Sequence, residues 1–171
     1  KAEVEKFFWN VLCDNYLEIV KDRLYKPENR ENGTEKRKSS QYALYTTLFD
    51  TVKLMAPILP YITEEIYQLF FKGKKDDLSV HISSWPKFDE TLIDEQAESA
   101  GDIGVDIISA IRRYKSEQQL SLKEELNELV LYSDDKNFEK HIMSINEDLK
   151  AVLNIKNIKF KGKTNFESDR Y

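Results

Sequence analysis

The segment Ile111-Arg112-Arg113-Tyr114-Lys115-Ser116-Glu117 is the part of the chain best equipped to engage a polyanion. With Ile107, Ile111 and Tyr114 facing a core, Arg112 and Lys115 lie one turn apart on an outer flank, and Arg113 reaches Glu117 at i+4. Two cations on one ridge can follow a phosphate backbone. An arginine can also read base edges or stack on an unpaired base. A plainer reading stands beside this one, because cations near a helix C-terminus are favoured by the helix dipole with no ligand present. Further cations sit at Lys21 and Arg23, at Lys36-Arg37-Lys38, and at Lys72, Lys74 and Lys75. Taken singly, each of these groups reads as solvated surface.

The inventory of catalytic motifs is empty. The sequence has no GxxxxGK[ST] or GxGxxG phosphate loop, no GxSxG elbow and no clustered His and Cys. His81 and His141 are far apart, and Cys13 has no second cysteine to pair with, so it reads as a buried thiol. Adjacent carboxylates occur at Glu64-Glu65 and Glu124-Glu125, yet neighbours on a helix point about 100° apart and cannot share a proton on one substrate. The chain is therefore not expected to be an enzyme in itself, and no metal or cofactor site is expected within it.

Charge pulls against a polyanionic partner, since the formal net charge is −5. The acidity is concentrated, however: Asp89, Glu90, Asp94, Glu95, Glu98, Asp102 and Asp106 follow one another with no Lys or Arg among them, which leaves other surfaces free to be basic. Hydrophobic residues at 40%, charged residues at 33%, 5 Gly and 4 Pro describe a structured, helix-rich chain. No apolar run approaches the roughly 20 residues that cross a bilayer and the N-terminus lacks a signal-peptide core, so a cytoplasmic location away from membranes is expected. The opening on Lys1, running at once into an amphipathic pattern, reads as a piece of a longer protein.

The elements that must position these residues follow from periodicity. Val4, Phe8, Leu12, Tyr16, Ile19 and Leu24 mark one face of a first helix that ends near Lys26-Pro27. A Pro-Asn-Gly loop leads to a second helix over about 36–55, and Pro57 and Pro60 turn a corner. Beyond it a third helix faces Ile62, Ile66, Leu69 and Phe70 inward. Residues 72–77 read as an exposed loop, 79–83 as a short extended strap, and Trp85 as a core plug beside Pro86. A long helix over about 90–118 carries Ala97, Ala100, Gly104, Ile107, Ile111 and Tyr114 on its inward line. Gly101 and Gly104 each lower its propensity by about 1 kcal/mol and mark either a close helix–helix approach or a local break. A strand at 126–132, helical spacing from Phe138 to Val152, and alternation around Ile158 and Phe160 complete a strand-helix-strand unit. The expected fold is mainly α: a helical bundle over 1–120, a small α/β appendage over 121–161 and a disordered tail over 162–171.

Three stretches in this order resemble one family. The run from Phe7-Phe8-Trp9-Asn10 to Arg23-Leu24-Tyr25 is similar to the opening of the anticodon-binding domain of class I aminoacyl-tRNA synthetases for valine, isoleucine and leucine. Leu54-Met55-Ala56-Pro57-Ile58-Leu59-Pro60-Tyr61-Ile62-Thr63-Glu64-Glu65-Ile66-Tyr67 resembles its Pro-cornered segment, and Ser79 to Pro86 its short strap. Ile108-Ser109-Ala110-Ile111-Arg112-Arg113-Tyr114-Lys115-Ser116-Glu117 resembles the valine–tRNA ligase branch, in its archaeal form. The resemblance implies a helical bundle that receives the anticodon arm of valine tRNA, followed by a small α/β unit. Arg112, Arg113 and Lys115 lead the expected contacts, with Lys21 and Arg23 after them. It further implies catalytic and editing domains upstream, in a parent that uses ATP with magnesium. The His-Ile-Gly-His and Lys-Met-Ser-Lys-Ser signatures of that chemistry are absent here. Two alternatives remain: a fragment of an isoleucine or leucine enzyme, and a helical protein-interaction module without RNA binding, which the negative charge suits.

Overall fold

The computed structural model describes residues 1–73 and 78–162, so the expected loop at 72–77 is described only at Lys72 and Gly73, and the expected tail from 163 onward lies outside the described residues. The chain divides into two compact units, Lys1–Thr91 and Leu92–Tyr171.

In the first unit, α1 (Ala2–Lys6), a π-helical run (Phe7–Tyr16) and α2 (Leu17–Tyr25) form one continuous helical path, with helical backbone angles at both joints. Lys26, just before Pro27, leaves the helical region, as a pre-proline residue is pushed to do. A 3₁₀ turn at Pro27–Asn29 and a left-handed Asn32 reverse the chain into α3 (Gly33–Met55). Gly33 is required there, because a Cβ would stand 1.7 Å from the Pro27 carbonyl oxygen. The turn is clamped by Arg30, whose side chain is 4% exposed and whose Nε donates to Asp22 at 2.7 Å. Pro60 opens α4 (Pro60–Ile66), which runs on into a π-helical turn at Tyr67–Phe71.

Val52, Ala56, Tyr67, Phe71 and Val80 form the core of this unit, with Leu48, Phe49 and Ile66 packed against it. Phe49 stacks on Phe71 and Tyr67 at centroid separations of 5.0 and 6.0 Å. The inward line of α4 and its π turn is Thr63, Tyr67 and Phe71, one position round from the expected Ile62, Ile66, Leu69 and Phe70. Ile62, Leu69 and Phe70 are exposed instead. Thr63, Tyr67 and Phe71 follow one another at intervals of four and so share a face, and the hydroxyl of Thr63 is satisfied by the Leu59 carbonyl at 2.8 Å, so a polar residue can hold the buried position.

The strap is a 3₁₀ turn at Val80–Ile82 and not an extended segment. Glu64 holds it: its carboxylate accepts from Ser79 Oγ at 2.7 Å, Val80 N–H at 3.0 Å and Gln68 Nε2 at 2.6 Å. Those bonds stabilise the charged carboxylate and keep it below its ordinary value, the Ser79 hydroxyl contributing most. Trp85 does not plug the core, being 58% exposed.

In the second unit, Asp94 caps α5 (Glu95–Glu117) by accepting from Gln96 and Ala97 N–H, both at 3.0 Å. After α5 come β1 (Leu126–Tyr132), α6 (Lys136–Ser144), α7 (Asn146–Leu153) and β2 (Ile155–Lys161). The strands pair in parallel, Leu126 opposite Ile155 and Leu131 opposite Phe160. Ala100, Ile108, Ile142, Leu149, Leu153 and Ile155 are buried. A Cβ on Gly104 would meet Ile145 Cδ1 at 2.8 Å, so the close approach expected for the glycine pair belongs to Gly104, while Gly101 has open space. The long helix thus packs with the α/β elements, and the expected boundary at 120/121 falls within this unit.

Candidate nucleic-acid interface

Helix α5 has a charge gradient along its length. Its first turn carries Glu95 and Glu98 beside the Asp94 cap, its last turns carry Arg112, Arg113 and Lys115, and both ends match the helix dipole. The buried line runs through Ala100, Gly104, Ile108 and Lys115, with Ile111 half-buried beside it. That line is rotated from the expected one through Ile107 and Tyr114, so Tyr114 lies 49% exposed. Arg113 is exposed and Arg112 half-buried. Among the described residues neither arginine has an ion pair, and the expected Arg113–Glu117 pair does not form.

Lys115 corrects the sequence reading. It is 1% exposed and points inward, because it follows Ile108 by seven residues on the same helical face. Its ammonium donates to the carbonyls of Leu122 at 3.1 Å, Glu124 at 2.7 Å and Leu153 at 2.7 Å. Three N–H groups meet three acceptors, which is the condition for burying a cation. Burial pulls the ammonium below its ordinary value, and the Glu124 charge restores part of the shift. The side chain therefore ties the end of α5 to the end of α7 and the approach to β1. Beside it, Asn154, left-handed at φ 53°, donates from its side chain to the Lys123 carbonyl at 2.8 Å. An outward contact from Lys115 to a polyanion is incompatible with this placement.

The remaining expected contacts lie in the first unit. Lys21 is exposed and paired with Glu18 at 2.5 Å, and Arg23 is half-buried with interactions of its own. Of the other cations, Lys38 is paired with Glu35 at 3.8 Å, and Lys74 and Lys75 lie outside the described residues. The structure thus brings Arg112 and Arg113 together and removes Lys115 from the same set. What sequence reasoning missed is Tyr114, assigned to the core. The signal was available, since the spacing 100, 104, 108, 111, 115 fits a helix as well as the spacing chosen, but a lysine at its end disguised it.

The first unit also has an open groove of about 610 Å³, lined by Phe8, Trp9, Tyr45, Met55, Ile62 and Phe70 among others. Its walls are almost wholly apolar, so it offers contact area rather than chemistry. Among the described residues no three His, Cys, Asp or Glu stand together as metal ligands, and no helix is long and apolar enough to cross a membrane.

Residues 2–131 match the family model described as the anticodon-binding domain of tRNA ligase. Among similar proteins, the valine–tRNA ligase of Methanococcus maripaludis is 38% identical over 97% of this chain and 18% of its own length. That of Thermococcus kodakarensis is 36% identical over 96% of the chain and 18% of its length. The valine–tRNA ligase of Methanosarcina mazei is 43% identical over 76% of the chain and 14% of its length. The chain spans less than a fifth of these relatives, and the matched region takes in α5 with Arg112 and Arg113 at its basic end. This chain belongs to the family of tRNA-ligase anticodon-binding domains.

Proposed function

We propose that this chain receives the anticodon arm of valine tRNA, and that in a full-length ligase it holds the tRNA so that the acceptor end reaches an active site carried by other segments. The observation that carries this reading is the Arg112–Arg113 pair, which no carboxylate engages among the described residues, at the basic end of a helix inside the family match. Arginine suits the task, because its planar, permanently charged fork meets phosphate oxygens two at a time and can lie on an exposed base. Lys21 and Arg23 are secondary contacts in the first unit. Catalytic and editing domains of the parent are the protein partners, and its ATP and magnesium chemistry belongs to those domains. The setting is cytoplasmic. No nucleotide step is assigned to residues of this chain.

Titration with a valine tRNA transcript, and with one bearing an altered anticodon, tests the reading. The wild-type chain should prefer the matched anticodon. Replacing Arg112 and Arg113 by Ala should weaken binding and lower the log–log salt slope by up to about 1.5, near 0.7 for each single-strand phosphate that is no longer neutralised. Unaltered affinity and slope would reject the arginines as contacts. The apolar groove of the first unit favours a second reading, a protein-contact module, and absence of RNA binding even at low salt would select it.

A further inference from the structure

The end of α5 offers more than positive charge. Arg113 with Glu117 and Tyr114 with Gln118 are neighbouring i,i+4 pairs, so the four side chains share one patch on the last turns. All four residues are exposed, and among the described residues none of these side chains has a hydrogen bond, ion pair or ring partner. Side chains on a helix lean toward its N-terminus, so Arg113 and Tyr114 overlie the preceding turn, where Ser109 and Ala110 are small and exposed. That leaves the tyrosine ring accessible. Trp9 and Phe70, the latter 73% exposed, are set differently, since they line an apolar groove. Tyr114 instead stands among a guanidinium, a carboxylate and an amide.

An apolar protein side chain seated on Tyr114 would strip water from Arg113, Glu117 and Gln118 without replacing its hydrogen bonds. A nucleotide satisfies the whole set. Its base presents a flat π face to the ring, its edge presents donors and acceptors to an amide and a carboxylate, and its phosphate meets the cation. We infer that Tyr114 is a stacking platform for one unpaired base of the anticodon loop, with Gln118 and Glu117 facing the base edge and Arg113 the adjoining phosphate. The inference rests on the function proposed above.

The test uses the whole 171-residue chain and an anticodon stem–loop RNA carrying 2-aminopurine at one loop position at a time. Wild type and Tyr114→Phe should quench the fluorophore at one loop position. Tyr114→Leu, which keeps apolar bulk without the ring, should abolish that quenching and weaken binding about tenfold, the effect expected for one stacked base. Its salt slope should stay at the wild-type value, in contrast to the Arg112 and Arg113 replacements. Equal quenching and affinity in wild type and Tyr114→Leu would overturn the platform while leaving the RNA reading intact. If the wild-type chain fails to bind the stem–loop at low salt, the platform and the RNA reading fall together.

Discussion

Lys115 is the residue on which the second unit turns. Its ammonium is buried against three carbonyls that come from two separate chain segments, so one side chain fixes the exit of α5, the end of α7 and the entry to β1. Replacing it by Met keeps the bulk but leaves those carbonyls without a donor. Leu122 and Glu124 are exposed residues whose bonds to Lys115 are only part-buried, so water can substitute there, whereas Leu153 and its bond are buried. The expected decrease is about 2–3 kcal/mol of unfolding free energy, set mainly by the buried acceptor. Urea unfolding followed by far-UV dichroism measures it, and a decrease below about 0.5 kcal/mol would show that water takes over the whole role. A pH signature accompanies it. A lysine whose folded value lies below the ordinary 10.5 binds fewer protons folded than unfolded in the interval between the two values, so its contribution to stability rises with pH across that interval. Lys115→Met should lack this rise. The same geometry means that an alanine at 115 would disturb the fold as well as charge, which is why the RNA test rests on Arg112 and Arg113.

At the scale of elements, the two glycines of α5 separate propensity from packing. Gly101 is exposed with nothing near its missing Cβ, so Gly101→Ala should stabilise the chain by about 0.5–1 kcal/mol through helix propensity alone. At Gly104 the same gain is offset by moving Ile145 Cδ1, and Gly104→Ala should be near neutral. Thermal unfolding of the two variants checks the contrast, and equal shifts would contradict it. In the strap, Glu64 is the charged group that accepts from Ser79 and Val80, beside the buried Val80 side chain and the Gln68–Leu78 bond. Hydrogen bonds lower the Glu64 value, so the carboxylate contributes stability above its unfolded value and loses it as pH falls through the lower folded one. Glu64→Gln should therefore unfold with a shallower acid dependence below about pH 4.5 than wild type, whatever its stability at neutral pH. The helices of the first unit, their breaks at Pro27 and Pro60 and the two strands flanking a helical stretch were legible from spacing and composition, but that stretch is two helices, α6 and α7, parted at Ile145, where one was expected. The faces the helices present were not legible. Spacing alone does not choose between two lines one position apart, and Thr63 and Lys115 occupy buried positions because a backbone carbonyl, invisible in the sequence, waits at each. The same ambiguity misplaced Tyr114 and Lys115 within the basic segment of α5, while the cationic residue types alone had singled that segment out as the candidate.

For the whole molecule, the question is how a net charge of −5 fits the polyanionic partner proposed for this chain. Acidity on α5 sits mainly at the start of the helix and cations at its end, so the chain's total charge misrepresents the field near Arg113. The separation is incomplete, however. Asp102, Asp106 and Arg113 are all exposed and stand at intervals of four and seven residues, which places them on one face. With a rise of about 1.5 Å per residue, Asp106 lies roughly 10 Å along the axis from Arg113. That is close to the Debye length at 0.1 M salt, so the aspartates repel an incoming phosphate at low ionic strength and are screened at high. Replacing Asp102 and Asp106 by Asn should tighten stem–loop binding several-fold near 0.05 M salt, and the advantage should vanish toward 0.5 M. Fluorescence titrations across that range measure both limits. An affinity gain that persists at high salt would mean that the aspartates act by direct contact, and no gain at low salt would place the phosphates away from this face of α5.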